Sequence, residues 1–401
     1  MKILLLNLLS LILLMSCAEQ EKGLDPEELA NELLIIDSHI DVPYRLWRQH
    51  LKGDEIENIA GSTKGDFDFL RAKKGGLNVP FFSIYLPATT QEAGTSHKMA
   101  NQMIDMVEDI ITINSDKFIL INSVDDLASL KTKDVVGIAL GMENGAPIQG
   151  DLSRVQYYFD RGIRYITLTH SKSNHISDSS YDENIQWNGL SNFGKSLIKE
   201  MNQVGIMVDI SHVTDEAFYQ AIELSQVPVI ASHSSLRHFT PGFERNVDDS
   251  MLRRLAEKGG VIQINFGSSF ISQRPRDYVQ GINKFLDIKF GAERGEVSPE
   301  ILNEARNHYI EENPYPFATK DEVLDHFDRV VTLVGIDHVG IGSDYDGVGD
   351  TLPIGLKDVS TYPVLIKGLV ERGYTKKDIE KVLGGNLIRV WQEVERYAKE
   401  N

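Results

Sequence analysis

Cysteine is almost absent from this 401-residue sequence, which contains only Cys17. A disulfide framework needs cysteines in pairs, and a cysteine-type zinc site needs several of them, so both are excluded. Glycine and proline are modest at 32 and 13 residues, which excludes a collagen-like repeat and a proline-rich disordered chain. A hydrophobic content of 41% is that of an ordinary folded globular protein.

Basic residues are scarce relative to acidic ones, with 41 Lys and Arg against 59 Asp and Glu and a formal net charge of -18. No basic run interrupts this acidic balance. Proteins that bind nucleic acids usually carry an excess of positive charge, because they must neutralise phosphates. We therefore expect no nucleic-acid partner.

One long hydrophobic run is present, at residues 3–15, directly after Lys2. Its length suits the core of a signal peptide and is too short to span a bilayer. The segment Leu14-Met15-Ser16-Cys17 resembles a bacterial lipobox. We therefore predict a signal peptide over residues 1–16, a lipidated Cys17 and a tether over 17–30. This predicts a bacterial cell-envelope protein, anchored by lipid and facing the periplasm or the surface. An ordinary signal peptide with a chance cysteine is the alternative.

From residue 31 onward, short apolar and β-branched runs alternate with longer amphipathic stretches. Several runs are apolar at consecutive positions, which is typical of parallel strands covered on both faces. The runs are residues 34–42, 79–87, 135–143, 164–169, 205–212, 227–233, 260–266 and 338–344. Eight strands that alternate with helices predict an α/β fold, a (β/α)8 TIM-type barrel, as a single domain over 31–401. An open doubly wound sheet is the alternative, but its usual glycine-rich nucleotide loop is missing after the first run.

Amphipathic stretches predict the helices of this barrel. They lie at residues 96–114, 152–162, 192–204, 215–225, 249–258, 321–335 and 376–400. Residues 267–316 are longer than an ordinary connection needs. We interpret them as an elaborated loop over the barrel mouth, where such insertions commonly bind substrate.

Ionisable side chains follow the predicted strands at their carboxyl ends. They are His39, Asp41, Glu143, His170, His212, His233, Asp344 and Asp346. All of these strand ends open on one face of a barrel, so we expect the side chains to converge. Imidazoles and carboxylates suit Zn²⁺ and similar transition metals, and this set exceeds what one tetrahedral ion uses. It therefore predicts a pair of ions, with Asp344 as a proton carrier. Arg245 either clamps a substrate carboxylate or pairs with the neighbouring Asp248 or Asp249.

Seven segments, in this order, make the chain resemble the membrane dipeptidase family of zinc peptidases over residues 34–398. The segments are DSHIDVP, GMENG, TLTHSKSN, GLSNFGKSLIKEMNQVGIMVDISH, SHSSLR, RNVDD and GIGSDYDG. The resemblance implies that the barrel is a catalytic domain like that of metal-dependent hydrolases, with two zinc ions per chain. One would be held by His39, Asp41 and Glu143. The other would be held by Glu143, His212 and His233, so that Glu143 bridges the pair.

The resemblance also implies roles toward the substrate. His170 would contact the oxygen of the tetrahedral intermediate, and Arg245 would bind the C-terminal carboxylate. Asp344 would touch the substrate and shuttle the proton, with Asp346 as the alternative. Some relatives carry a tyrosine where this sequence has Phe270, which affects the expected substrate range.

The expected function is zinc-dependent hydrolysis of dipeptides, including those with a C-terminal D-residue. Two alternatives stay open. One is another binuclear amidohydrolase, acting on N-acyl amino acids, β-lactams or lactones, and the other is a non-catalytic binding lipoprotein. Besides the dipeptide, the membrane is an expected partner through the N-terminal lipid, and a homodimer is compatible with the sequence.

Overall fold

Eight parallel strands form a nearly closed barrel in the computed structural model, which describes residues 24–131, 134–291, 294 and 297–401. Their order in the sheet follows the chain. The strands are β1 Ile35–Ile40, β2 Leu77–Tyr85, β4 Val136–Glu143, β5 Ile163–Thr167, β6 Met207–Asp209, β7 Ile230–Ser234, β8 Val261–Ile264 and β9 Val339–Ile341. The remaining strand, β3 Phe118–Leu120, pairs only with β4 beside this path. The predicted (β/α)8 architecture is confirmed.

The first and last strands meet where their carboxyl ends emerge. The backbone N–H of Asp344 donates to the carbonyl of His39 at 3.0 Å, and the N–H of Asp41 donates to the carbonyl of Tyr345 at 2.9 Å. These two bonds join the loops that carry predicted site residues. Closing the barrel therefore also brings opposite ends of the sequence together at the site.

Helices cover the outside of the barrel and surround its mouth. Their bounds are α1 Pro26–Glu32, α2 Val42–Lys52, α3 Phe69–Gly75, α4 Ala88–Glu92, α5 Ser96–Ile113, α6 Ser153–Asp160, α7 Asn192–Val204, α8 Asp215–Leu224, α9 Asp249–Glu257, α10 Ser268–Ile271, α11 Gln273–Phe290, α12 Pro299–Glu312, α13 Lys320–Val334, α14 Tyr362–Glu371, α15 Lys376–Glu380 and α16 Asn386–Glu400. Each predicted helix is present. The stretch 376–400 is interrupted by a π-helical turn at Lys381–Gly385, where Gly384 leaves helical geometry.

Side chains that alternate along the strands divide between two hydrophobic clusters. The larger cluster lies between the sheet and the outer helices. The second joins strand residues such as Phe81 and Tyr165 to Trp391 of α16. We identify this second cluster as the barrel interior, because its strand members come from seven of the eight barrel strands. The buried ring of Trp391 lies 5.4 Å from that of Phe81 and closes the lower end of the barrel.

The segment 267–316 contains α10, α11 and α12 instead of an irregular loop. Helices α11 and α12 pack through a small cluster of their own around Ile282, Leu286 and Ala305. Ser269 and Phe270 of α10 reach the cavity at the barrel mouth. The insertion therefore contributes to the mouth, as its position in the sequence predicts.

The amino-terminal predictions lie largely outside the described residues. This applies to the signal peptide over 1–16 and to Cys17. The predicted tether ends at residue 30, but Pro26–Glu32 form α1, whose Leu29 and Ala30 are buried in the main core. The packed domain therefore begins before residue 31, because Leu29 and Ala30 bury their apolar side chains in the main core. Within the part of the chain that is described, no helix has the length and apolar character needed to cross a membrane.

Candidate metal centre and active site

Glu143, the last residue of β4, lies at the centre of a group of four imidazoles. Its Oε1 atom is 3.1 Å from Nε2 of His212, 3.2 Å from Nε2 of His233 and 3.4 Å from Nε2 of His170. Its Oε2 atom is 3.5 Å from Nε2 of His39. These five side chains come from five strands or the loops directly after them, so the predicted convergence is observed.

Local backbone geometry holds several of these side chains in place. Asp41 follows β1 and precedes α2, whose first turn contains Pro43, a residue that favours a helix start. His212, Asp344 and Asp346 have φ angles of 70°, 64° and 65°. This left-handed region is costly for residues with a side chain, and such residues concentrate at functional sites.

A hydroxyl from the barrel interior orients His39. The Tyr165 hydroxyl lies 2.8 Å from Nδ1 of His39, which leaves Nε2 directed at Asp41 and Glu143. Any Cβ at Gly141 would overlap the Tyr165 ring, so the glycine of β4 makes room for this contact. An outer partner of this kind fixes which nitrogen of a histidine faces a metal.

The buried carboxylate of Asp209 orients His233 through the hydroxyl of Ser232. Ser232 Oγ lies 2.8 Å from Nδ1 of His233 and donates to Asp209 Oδ2 at 2.6 Å. Asp209 also accepts hydrogen bonds from Thr167 Oγ1 and from the backbone N–H of Ser211. Every one of these groups is buried, so the network holds the imidazole in one orientation.

The carboxyl groups of Asp344 and Asp41 both lie close to the backbone of Gly347. The Oδ2 atom of Asp344 accepts a hydrogen bond from Asn265 Nδ2 at 2.7 Å. A Cβ at Gly347 would lie 2.2 Å from a carboxylate oxygen of Asp41 and of Asp344, so a larger residue there would displace these side chains. Asp346 is engaged elsewhere: its Oδ1 accepts the N–H of Asp66 at 2.6 Å, and its Oδ2 lies 3.1 Å from Nε of Arg45.

The donor set fits metal ions. Nε2 of His39 and Oδ1 of Asp41 are buried and have no hydrogen-bond partner among the described residues, which is costly unless something else binds them. Three overlapping groups have ligand atoms within 4.8 Å of one another: His39, Glu143 and His233; Glu143, His170 and His212; and His39, Asp41 and Asp344. Two candidate sites of His and Glu residues are therefore present, consistent with a binuclear centre.

The grouping differs in part from the one that the family resemblance implies. Asp41 lies with Asp344 rather than with Glu143, and His170 joins Glu143 and His212. The cause is geometric, since Glu143 Oε1 faces three imidazoles while Oε2 faces only His39. All five expected ligands still belong to one continuous cluster.

Burial and charge shift the protonation of this cluster in opposite directions. Burial alone would raise the pKa of Glu143, but the neighbouring His170 and His39 hold that pKa well below its usual range. Burial lowers the pKa of His212 and His233 well below the usual value, assisted by Arg245 and His39 respectively. Neutral imidazoles and an ionised carboxylate are the forms that bind metals.

Asp344 behaves differently from Glu143. Burial, reinforced by the negative charge of Asp41, raises the pKa of Asp344 to about 8. A carboxyl with such a pKa exchanges a proton near neutral pH, which suits general acid–base work.

Arg245 lies beneath the imidazoles and is 3% exposed. Its guanidinium donates to Ser234 Oγ and to the carbonyl of His233, both at 2.7 Å, and one nitrogen lies 3.1 Å from Nε2 of His212. No ion pair forms with Asp248 or Asp249 among the described contacts, so the alternative pairing for Arg245 is absent there. Arg237 and Arg329 pair with those aspartates instead.

The cluster opens into a cavity of about 550 Å³ at the barrel mouth. Aromatic rings line much of it: Tyr44, Tyr85, Tyr181 and Phe270. Phe270 is the residue for which some relatives are expected to have a tyrosine. The volume suits a molecule of a few residues at most, and carboxylates and imidazoles of the cluster are among the lining residues.

Sequence reasoning missed several residues that support the site. Tyr165 lies inside the strand run RYITLT, where its side chain is indistinguishable from an ordinary core residue. Asp209, three residues before His212, is an acidic residue within an apolar run, and that was the available signal. Asn265 and Arg48 carry no pattern that marks them in a single sequence.

Comparison with known families gives one match over nearly the whole described chain. The model of the family described as membrane dipeptidase, peptidase family M19, matches residues 25–401. An uncharacterized dipeptidase of Schizosaccharomyces pombe is 32% identical over 387 residues, which cover 93% of this chain and 83% of that protein. Dipeptidase 3 of Mus musculus is 29% identical, with 93% of this chain and 67% of that protein covered.

Solved structures show the same fold. The probable dipeptidase PvdM from Pseudomonas aeruginosa is 26% identical with a TM-score of 0.79, and the match covers 93% of this chain and 98% of that one. A metallo peptidase from Rhodobacter sphaeroides, liganded with a phosphinate mimic of the dipeptide L-Ala-D-Ala, is 23% identical with a TM-score of 0.72 and covers 90% and 99% of the two chains.

Proposed function

Since this chain belongs to the membrane dipeptidase family, peptidase family M19, and is a dipeptidase-type metallopeptidase, we propose that its metals are two zinc ions and that it cleaves dipeptides, including those with a C-terminal D-residue. The observation that carries this proposal is the position of Glu143 among four imidazole Nε2 atoms at 3.1 to 3.5 Å. Imidazole and carboxylate donors are those that zinc prefers.

His39, Asp41, Glu143, His212 and His233 hold the ions in this proposal. A bound pair of zinc ions supplies an activated water and polarises the scissile carbonyl. Tyr165 keeps His39 in the orientation that directs Nε2 at the centre, and Ser232 does the same for His233. The buried Arg245 contributes positive charge beside His212.

The remaining residues move the proton and orient the substrate. Asp344 accepts a proton from the attacking water and then delivers it to the nitrogen of the leaving amine as the peptide bond breaks. His170, with a side chain 20% exposed to the cavity, donates a hydrogen bond to the carbonyl oxygen as negative charge develops there. The positive charge of Arg245, buried beside His212, attracts the free carboxylate of the substrate, which restricts cleavage to very short peptides.

Metal analysis combined with paired substrates tests this function. We expect about two zinc ions per chain and hydrolysis of both L-Ala-L-Ala and L-Ala-D-Ala. The L-D substrate is chosen because the Rhodobacter sphaeroides relative holds a mimic of L-Ala-D-Ala. Turnover of N-acetyl-alanine, a lactone or a β-lactam without dipeptide turnover would favour another binuclear amidohydrolase. A protein that binds no metal and cleaves nothing would be a binding lipoprotein.

We further propose that Cys17 carries a lipid that anchors the mature protein in the bacterial envelope. The lipobox-like segment before Cys17 supports this. Fractionation of cells that express the wild type and Cys17→Ser tests it. The wild type should sediment with membranes and the variant should not, while equal membrane association of both would contradict the anchor.

A further inference from the structure

Arg48 is the single lysine or arginine that lines the active-site cavity among the described residues. It lies on α2, one turn after Tyr44, so both side chains share a helix face. The Tyr44 ring packs edge-on against Tyr85 at 4.7 Å, and Tyr85 packs in the same way against His170 at the same distance. Arg48 therefore lies at the rim of the cavity, and the rings of Tyr44 and Tyr85 lie between it and the metal cluster.

The Arg48 guanidinium has no hydrogen-bond or ion-pair partner among the described residues. By contrast, Arg45, three residues earlier on the same helix, pairs with both Glu57 and Asp346. An exposed arginine with five free donors is suited to bind a planar carboxylate in two parallel hydrogen bonds.

A second cavity of about 640 Å³ adjoins the first and shares Tyr44, Arg48 and Asp346 with it. The other cations in this groove include Lys52 and Lys64, whose ammonium groups also lack a partner among the described residues.

The acidic residues of the groove are mostly neutralised. Asp346 pairs with Arg45 at 3.1 Å, Asp358 with Arg71 at 3.3 Å, and Asp350 with Lys357 at 3.8 Å. Burial and the charge of Asp346 raise the pKa of Asp66 to about 6, so this carboxyl is largely ionised at neutral pH. With six lysines and arginines against four aspartates in its lining, the groove is still positively charged, although the net charge of the chain is -18.

Arg245 is not placed to bind a second carboxylate of the substrate. Its two terminal nitrogens are bonded to Ser234 and to the His233 carbonyl, and the side chain is not among those that line the cavity. Among the described lining residues, Arg48 is therefore the basic side chain available to a second carboxylate of a substrate.

We propose that Arg48, supported by Lys52 and Lys64, binds a side-chain carboxylate of the substrate, so that the enzyme selects dipeptides containing an acidic residue. This rests on the proposed dipeptidase function and specifies its substrate class. The acidic residue occupies either the first or the second position of the dipeptide. The shared chemistry is a carboxylate beyond the main-chain terminus.

Isosteric substrate pairs test the proposal. The zinc-loaded wild type and Arg48→Met are assayed for kcat/KM on Glu-Ala against Gln-Ala, and on Ala-Glu against Ala-Gln. We expect the wild type to prefer glutamate over glutamine by about tenfold in one of the two pairs, and that pair identifies the position. The Arg48→Met variant should bring this ratio close to one. A wild type without preference in either pair, or a variant that keeps the wild-type ratio, overturns the proposal.

Arg253→Met is the matched control, because it removes the same charge from the exposed face of α9 outside both cavities. It should keep the wild-type ratio, and an equal loss of the ratio in this variant would attribute the effect to net charge and overturn the proposal.

A binding measurement separates this proposal from the dipeptidase function. Calorimetry compares glutarate with glutaramate on the wild type and on Arg48→Met. Tighter binding of glutarate that disappears in the variant supports the carboxylate site even if no dipeptide is cleaved. Equal binding of both compounds to both proteins overturns it, while failure to cleave neutral dipeptides counts only against the proposed function.

Discussion

The Tyr165 hydroxyl lies 2.8 Å from Nδ1 of His39, at the boundary between the hydrophobic interior of the barrel and the charged cluster above it. The same ring packs 5.6 Å from Phe81, which in turn contacts Trp391. One side chain therefore belongs to the core and also contacts a residue of the candidate metal centre. Packing in the interior decides the orientation of a candidate metal ligand.

Tyr165→Phe should weaken metal binding without unfolding the barrel. The ring and its packing are kept, but His39 loses the partner that fixes its tautomer, so we expect metal affinity to fall by about 10 to 100-fold. Titration with a competing chelator measures this. Tyr158→Phe is the control, since Tyr158 is also buried and its hydroxyl bonds His97, away from the cluster. Equal metal affinity in wild type and Tyr165→Phe would contradict the orienting role.

Glu143→Gln should remove metal and activity together. The amide keeps the size of the side chain but loses the charge that faces four imidazoles, so the loss in metal affinity should exceed the roughly 100-fold typical of an outer partner. Metal content and kcat/KM on the same preparation measure both effects. Glu395→Gln on α16, whose carboxylate accepts the N–H of Val124, should leave metal content unchanged. Full activity in Glu143→Gln would refute the central role of this carboxylate.

Asp344→Asn should separate proton transfer from metal binding. If Asp344 carries the proton, kcat falls by about 100 to 10,000-fold while metal content stays at the wild-type level. If it ligates an ion together with His39 and Asp41, metal is lost as well. Metal analysis beside steady-state kinetics distinguishes the two outcomes. Asp346→Asn serves as the comparison, and we expect a smaller effect because Asp346 is held by Arg45 and Asp66.

His326 should make the fold less stable in mild acid. Its Nδ1 accepts the N–H of Leu236 at 3.1 Å and its Nε2 donates to the carbonyl of Ile271 at 3.0 Å, so the buried ring is neutral. Burial lowers the pKa of His326 to about 4 from 6.5. Because the unfolded chain binds the proton first, this contribution to stability is complete above pH 6.5 and is lost as the pH falls toward 4.

The expected loss from His326 is about 3 kcal/mol across this range. Urea unfolding at pH 7 and pH 4.5 measures it, and His326→Gln should show a smaller difference between the two conditions than the wild type. His308→Gln, an exposed histidine beside Glu312, should behave like the wild type. An unchanged pH difference in His326→Gln would contradict the assignment.

The barrel was predictable because its signals are local and repeated. Each of the eight predicted runs overlaps one barrel strand, and Thr375 with Asp378 forms a capping box at the start of α15. Strand β3 was missed because three residues show no period. The break before α16 was missed because Gly384 and Gly385 lie within an otherwise helical pattern.

The site was predictable to the extent that the barrel rule places strand ends on one face. That rule brings Glu143 and the four histidines together without any knowledge of side-chain geometry. It says nothing about which carboxylate oxygen faces which imidazole, and so the position of His170 beside Glu143 emerged only from the structure. Arg48 could not be predicted either, because its lack of a hydrogen-bond or ion-pair partner can be seen only in the structure.

The left-handed backbone at His212, Asp344 and Asp346 lowers the stability of the folded protein. Glycine would relax the backbone at each of these positions, and at His212 and Asp344 it would remove a side chain that the proposed chemistry needs. Selection for thermal stability alone, applied to random variants, should therefore accumulate glycine at His212 and Asp344 and yield more stable proteins that no longer turn over substrate.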